Sequence, residues 1–201
     1  ITFFEANWLT YIFDREIHRN AKRKEWSTST LGELPQEGND KFTDGPFGSN
    51  LKVKDYVSSG IPIIRLQNIG ISKFIDKNWK FISEKKYNEL IRHSAHPGDV
   101  LIAKMADPVA RSTIIPPIFE KYMIAADCVK LRINEEKAIP EFVSYAINSY
   151  TVRKQAISFA QGMTRSRINL REMKKLEIPL PSLPIQKQIV QNIKSAEQKF
   201  Q

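Results

Sequence analysis

The side chains that could do chemistry fall into two groups, and the first only imitates catalysis. Pro97-Gly98-Asp99 followed by Ile102-Ala103-Lys104 has the outline of a restriction-type nuclease motif, in which acidic metal ligands stand near a lysine. Ile102 and Ala103 occupy the places where a second carboxylate should be, and metal-assisted hydrolysis needs that ligand. Asp107-Pro108-Val109-Ala110 shares two residues with the Asn/Asp-Pro-Pro-aromatic motif of amino-methyltransferases but lacks the stacking aromatic. No GxGxxG-like cofactor loop occurs, so Asp107-Pro108 reads as a turn between strands. His93 and His96 are three apart, without a further His or Cys at zinc-ligand spacing, and read as exposed histidines beside a loop. Cys128, the one cysteine, reads as packed within a strand. The expectation is a protein with no catalytic residues, no metal and no cofactor of its own.

The second group binds rather than reacts, and it begins between Lys41 and Ile69. A Gly/Pro turn, Asp44-Gly45-Pro46-Phe47-Gly48-Ser49, precedes a polar run from Asn50 to Tyr56. A second turn, Ser58-Ser59-Gly60, leads into the apolar Ile61-Pro62-Ile63-Ile64, which ends in Arg65-Leu66-Gln67-Asn68. Gly45, Gly48, Gly60 and Gly98 are read as conformational rather than contacting. Lys and Arg suit phosphates, while Arg, Gln and Asn can each place two hydrogen bonds on a base edge. Ser49, Asn50 and Lys52, just past one turn, and Arg65, Gln67 and Asn68, just past a strand end, are candidate DNA contacts. Lys104 and Arg111 are added to them, as are Gln161, Thr164, Arg165 and Arg167 around Gly162.

Charge points the same way. The net charge is +9, and between Thr151 and Leu176 the cations Arg153, Lys154, Arg165, Arg167, Arg171, Lys174 and Lys175 face one acid, Glu172. A focused basic segment attracts phosphate backbones. A basic protein–protein adaptor working through its terminal helices would explain the amphipathic ends but not this segment. An RNA-binding module would be expected to interleave strand aromatics for base stacking, a pattern Trp79, Phe81 and Tyr122 do not make. A single cysteine rules out an internal disulfide framework and fits a reducing, cytoplasmic setting. The Phe3-Phe4 start lacks the basic stretch of a signal peptide, and no apolar run approaches the ~20 residues of a membrane span.

The elements that must position these residues are short. Phe4, Trp8 and Ile12, and Leu9, Phe13 and Ile17, give a two-striped helix over residues 1–24, either the end of an upstream helical region or an arm packed on the C-terminal helix. Ser27-Thr28-Ser29-Thr30 reads as a polar link. Strands are expected at 79–82, 99–104, 112–115, 122–126 and 128–133, with Ser83 capping a helix over 84–92. Pro140 opens a helix to about Ser149, and a second follows over 151–159. Pro179, Pro181 and Pro184 read as a stiff extended link. Beyond it Ile185, Ile189, Ile193, Ala196 and Phe200 form a coiled-coil-like seam. The fold class is α+β: a compact mixed β-sheet domain with short helices, flanked by terminal helices, the last a spacer helix.

At the DG-FGS-LK, DY and GIP-IR-NI residues of 44–69 the sequence resembles the start of a target recognition domain from the DNA-specificity subunit of type I restriction–modification systems. Pro97 to Ile102 and the tail from Gln161 to Gln186 agree in order and spacing, so the resemblance covers about Trp26 to Gln201. It implies an N-terminal helical segment over 1–26, a recognition domain over 27–183 and the start of a conserved spacer helix over 184–201. It also implies a non-catalytic module that reads double-stranded DNA for a methyltransferase (modification) subunit, with a restriction/translocase subunit as a further partner. Ile185, Ile189 and Ile193 would then face a partner or a second copy. Family members pair two recognition domains; the one domain here leaves open a half-subunit that dimerises, a fragment, or the specificity end of a fused enzyme.

Overall fold

Alternation along the strands sets the layers. On β10 (Cys128–Leu131) Val129 and Leu131 face one way and Cys128 and Lys130 the other, all four buried. The computed structural model describes residues 8, 10–17, 26–105, 108–160 and 166–198. In it β10 lies between β2 (Phe42–Asp44) and β7 (Val100–Ala103), and β8 (Ser112–Ile114) completes a four-stranded antiparallel sheet. A five-stranded sheet runs in the order β3 (Tyr56–Val57), β5 (Phe81–Ile82), β4 (Ile61–Ile64), β9 (Tyr122–Ile124), β6 (Ser94–Ala95). Only β4 and β9 pair in parallel, so the sheet is mixed.

Phe42, Val100, Ile102, Val129 and Leu131 pack against α3 (Pro140–Asn148), α4 (Tyr150–Phe159) and α6 (Leu183–Gln198). Leu101, Ala103 and Cys128, on the opposite face, meet Ile64, Tyr122 and Ile124 of the second sheet and Ile69 from the turn after β4. The far face of that sheet holds Ile63 and Met123 under Tyr87 of α2 (Glu84–Glu89). Residues 10–17 form a helix, α1, whose Ile12 and Phe13 enter the same core as α3 and α6. Thr10 Oγ1 donates to the Asn148 carbonyl, and Asn192 Nδ2 to Glu16 Oε2. Of the two expectations for this helix, the described residues fit the packing arm.

Local signals act as expected at two caps. Ser83 Oγ accepts the Lys86 N–H, and Pro140 sits in the first turn of α3. The helix after Ser83 stops at Glu89, and residues 91–93 form a separate tight turn.

The two supposed links are strands. Ser27–Thr30 is β1 and Glu177–Leu180 is β11, paired antiparallel with Ser29 opposite Ile178. β1 has no apolar residue, while in β11 Ile178 is fully buried and Leu180 packs at the edge of the core. In a two-stranded ribbon each strand is an edge, so Pro179 can lack an N–H without breaking a ladder. Pro184 lies in the first turn of α6, where no intrahelical donor is needed.

The apolar seam of α6 is also placed differently from the expectation. Ile189 and Ile193 are 1% and 0% exposed and sit in this chain's own core, with Ile185 packed at its edge. Two of the three residues assigned to a partner contact are therefore already covered. Gln186, wholly buried, locks α6 to α3: its Oε1 accepts the Ile139 N–H and its Nε2 donates to the Pro181 carbonyl.

Candidate nucleic-acid interface

β2, β4, β7 and β9 run out at one end of the two sheets, where β6, β8 and β10 begin. Four segments distant in sequence are tied together there. The Gly45 N–H bonds to the Cys128 carbonyl, and a Cβ on Gly45 would lie 2.0 Å from the Ala125 carbonyl oxygen, so only glycine lets these backbones meet. Ala125 N–H bonds to the Ile64 carbonyl, which carries Arg65 and the turn after it to the same place. Lys104 N–H reaches Asp127 O, and Ile168 N–H reaches Lys104 O, bringing in Arg167. The end of the sheets thus gathers the Gly45 turn, the Arg65–Asn68 turn, the β9–β10 corner and Arg167.

The predicted contacts separate sharply by exposure. Gln67 is exposed and held only by a 3.4 Å bond to the Asn78 carbonyl. Arg65 is half-buried, its Nη2 donating to that same carbonyl. Arg167 is exposed, with its Nη2 3.2 Å from Asp127 Oδ1. Ser49, Asn50 and Lys52 are exposed too, but they line a neighbouring polar groove with Lys54 and Lys86, beside α2.

Three expected contacts are structural instead. Asn68 is 0% exposed: its Oδ1 accepts the Arg65 N–H, and its Nδ2 donates to the carbonyls of Ile75 and Lys77. Lys104 is 7% exposed and paired with Asp44. Arg111 donates from Nε to the Ile69 carbonyl and from Nη2 to the Leu66 carbonyl, bracing the turn that displays Gln67; burial pulls its pKa down. A donor consumed by a buried carbonyl is not free for a base. Gln161, Thr164 and Arg165 lie outside the described residues, as does Asp107.

The described cations of the basic segment do not form one face. Lys174 Nζ lies over the ring of Phe42, at the other end of β2 from Asp44. Lys175 is bonded to Glu172, and Lys154 lies over the Tyr150 ring. Clustering in sequence overstated clustering in space.

The groups that imitated catalysis are engaged elsewhere. Asp99 and Lys104 flank opposite ends of β7, and Asp99 receives a two-pronged bond from Arg132, Nε to Oδ1 at 2.7 Å and Nη2 to Oδ2 at 2.8 Å. The histidines are half-buried rather than exposed. His93 Nδ1 donates to the Asp44 carbonyl, while His96 Nδ1 accepts from Arg132 Nη2, and burial with that neighbouring cation lowers the pKa of His96. Burial pushes the Cys128 thiol up to about 12, which leaves it protonated and inert. Among the described residues no group of three or more His, Cys, Asp or Glu could hold a metal ion. No described helix is long and apolar enough to cross a membrane. The aromatics that might have stacked on bases stack on one another: Trp79 packs against Phe74, Phe119 and the buried Tyr122.

Two features were missed from the sequence. Phe47 is 83% exposed at the tip of the Gly45 turn. Gly48, expected to be conformational, has no left-handed φ, and a Cβ there would meet nothing within 4 Å. A Gly-Pro-aromatic-Gly turn ahead of a basic run was the available signal for both.

A family model described as the type I restriction modification DNA specificity domain matches residues 23–201. A curated relative, the type I restriction enzyme MjaVIII specificity subunit of Methanocaldococcus jannaschii, is 22% identical over 186 residues, covering 88% of this chain and 43% of the relative. Among solved structures, the HsdS subunit from Thermoanaerobacter tengcongensis is similar at a TM-score of 0.63 and 18% identity, covering 90% of this chain and 45% of that one. A chain from a structure concerned with complex assembly and conformational transition of the type I R-M system is similar at 0.64 and 18%, covering 98% and 46%. The chain therefore spans less than half the length of each of these three proteins.

Proposed function

The chain belongs to the type I restriction–modification DNA specificity domain family, and from that premise we propose that it reads double-stranded DNA sequence without catalysing a reaction. The observation that carries this reading is the convergence of the Gly45 turn, the Arg65–Asn68 turn and Arg167 at one end of two sheets. Each strand ends in a loop there, and loops on a rigid scaffold are where binding residues sit. Gln67 offers a base-edge donor and acceptor, while Arg65 and Arg167 offer cations for phosphate or guanine. Ser49, Asn50 and Lys52, with Lys54 and Lys86, extend the surface sideways for backbone contacts.

On this reading the chain supplies the address and a modification subunit supplies the methyl-transfer chemistry, in the cytoplasm, with a restriction/translocase subunit as a further partner. Any contact with a partner helix or a second copy uses the exposed side of α6, since Ile189 and Ile193 are occupied within the chain.

The test is selection from a random duplex pool, followed by affinity measured across salt concentrations. A recovered consensus, with log affinity falling linearly against log salt, is the expected result. Affinity that is absent at low salt, or selection that returns no consensus, overturns the proposal. Preference for single-stranded RNA over every duplex overturns it as well.

A further inference from the structure

Among the described residues Phe47 is the most exposed large apolar side chain, and it belongs to none of the core clusters. Its turn is nevertheless firmly rooted. Gly45 is locked backbone-to-backbone against Ala125 and Cys128, Pro46 is buried, and the Asn50 N–H closes the turn onto the Phe47 carbonyl. The ring is thus presented on a fixed base rather than on a free loop. Lone exposed apolar residues are common. This one stands out by its setting: its turn is rooted at the sheet end that also gathers the turn of Arg65 and Gln67 and the backbone leading to Arg167. Gln67, Arg65 and Arg167 can distinguish bases by donors and acceptors, but none of them recognises the one apolar group in the major groove, the C5-methyl of thymine.

We propose that Phe47 is a specificity-determining residue that seats its ring on a thymine methyl group. The inference rests on the DNA-reading function proposed above and adds to it a base class and a residue. The ring excludes water from the methyl and gains nothing from cytosine, which lacks one.

The experiment takes a duplex recovered by selection and replaces each thymine singly with deoxyuridine, which removes only the methyl group. Wild type and Phe47→Ala are compared on every duplex. Because Phe47 is exposed, Phe47→Ala is expected to melt like wild type, and thermal unfolding checks this. One deoxyuridine position should weaken wild-type binding about three- to fivefold, the value of one buried methyl. At that same position Phe47→Ala should show no difference between thymine and uracil, and its affinity should already be about tenfold or more lower. The inference is overturned if no position responds in wild type, or if Phe47→Ala responds as wild type does. A Phe47→Ala loss that is equal for thymine and uracil at every position also overturns it, by placing the ring against sugar or between base steps. If wild type binds no duplex at low salt, the DNA reading itself has failed; if wild type binds and only the Phe47 results are negative, that reading stands and this inference alone falls.

Discussion

Lys104 Nζ lies 2.5 Å from Asp44 Oδ2, and this pair ties the end of β7 to the end of β2 at the root of the Gly45 turn. Lys104 is therefore a brace beneath the reading surface rather than part of it. Replacing it with Met leaves the Asp44 carboxylate without its cation. Lys104→Met is expected to lose about 1–3 kcal/mol in urea unfolding and to weaken binding to all duplexes alike. Adding Asp44→Asn should restore part of the stability, because the uncompensated charge is gone. A shift of base preference with unchanged stability would instead make Lys104 a contact.

Gln67 and Asn68 are adjacent but should behave oppositely. Gln67→Ala is expected to keep full stability, cost about 1–3 kcal/mol of binding and relax specificity at one position. Asn68→Ala strips partners from the Arg65 N–H and from the Ile75 and Lys77 carbonyls. Its loss of stability should reach at least about 1–3 kcal/mol. Urea melts and a panel of single-base duplex variants, run on both proteins, separate the two roles.

Arg167→Ala is expected to lower affinity for every duplex by a similar factor and to reduce the salt slope by about one. Its ion pair with Asp127 is exposed, so stability should change by less than about 1 kcal/mol. A variant that keeps the salt slope but alters the consensus would reassign Arg167 to base reading.

Lys130 gives the protein a pH signature. It is 0% exposed, its Nζ donates to the Ser94 carbonyl, and burial lowers its pKa from 10.5 to about 8. Between these values the unfolded chain holds a proton on this lysine that the folded chain has released. Unfolded binds more protons than folded, so stability rises with pH across that window, by at most about 1.4 kcal/mol per pH unit. Below about pH 8 both states are charged and the cost of burying the ammonium is present in full. The difference in unfolding free energy between wild type and Lys130→Met, measured from pH 7 to 10.5, should therefore move in favour of wild type as pH rises. A pH-independent difference would show that Lys130 titrates normally.

Ile193→Asp is expected to destabilise the chain itself by more than about 3 kcal/mol, because it buries an unpaired carboxylate in the core shared by α1, α3 and α6. Gln191→Asp, on the exposed side of α6, is the matched control and should stay within about 0.5 kcal/mol. Near-native stability of Ile193→Asp in urea unfolding would move the seam back to a contact between chains.

The sequence by itself determined what is local. Short strand-forming runs marked β7, β8, β9 and β10, Ser83 and Pro140 marked helix starts, and the Gly-Pro turn followed by a strand ending in Arg65 carried the family resemblance. Those features depend on neighbours a few residues away. What only the tertiary structure decided is which polar side chain at a strand end is spent inside. Asn68 and Gln67 look alike as candidates, yet the carbonyls of Ile75 and Lys77 claim one inside the fold and leave the other exposed. Lys104 is claimed by Asp44, sixty positions earlier. The seam of α6 likewise required burial but could not name the surface that buries it, which proved to be the chain's own α1 and α3. Ser27–Thr30 lacked a strand pattern because it carries no apolar residue, and its pairing with β11 sets it in place. In each case the deciding partner is distant in sequence, and a hydrogen-bonding or apolar group records its need for a partner without recording which one meets it.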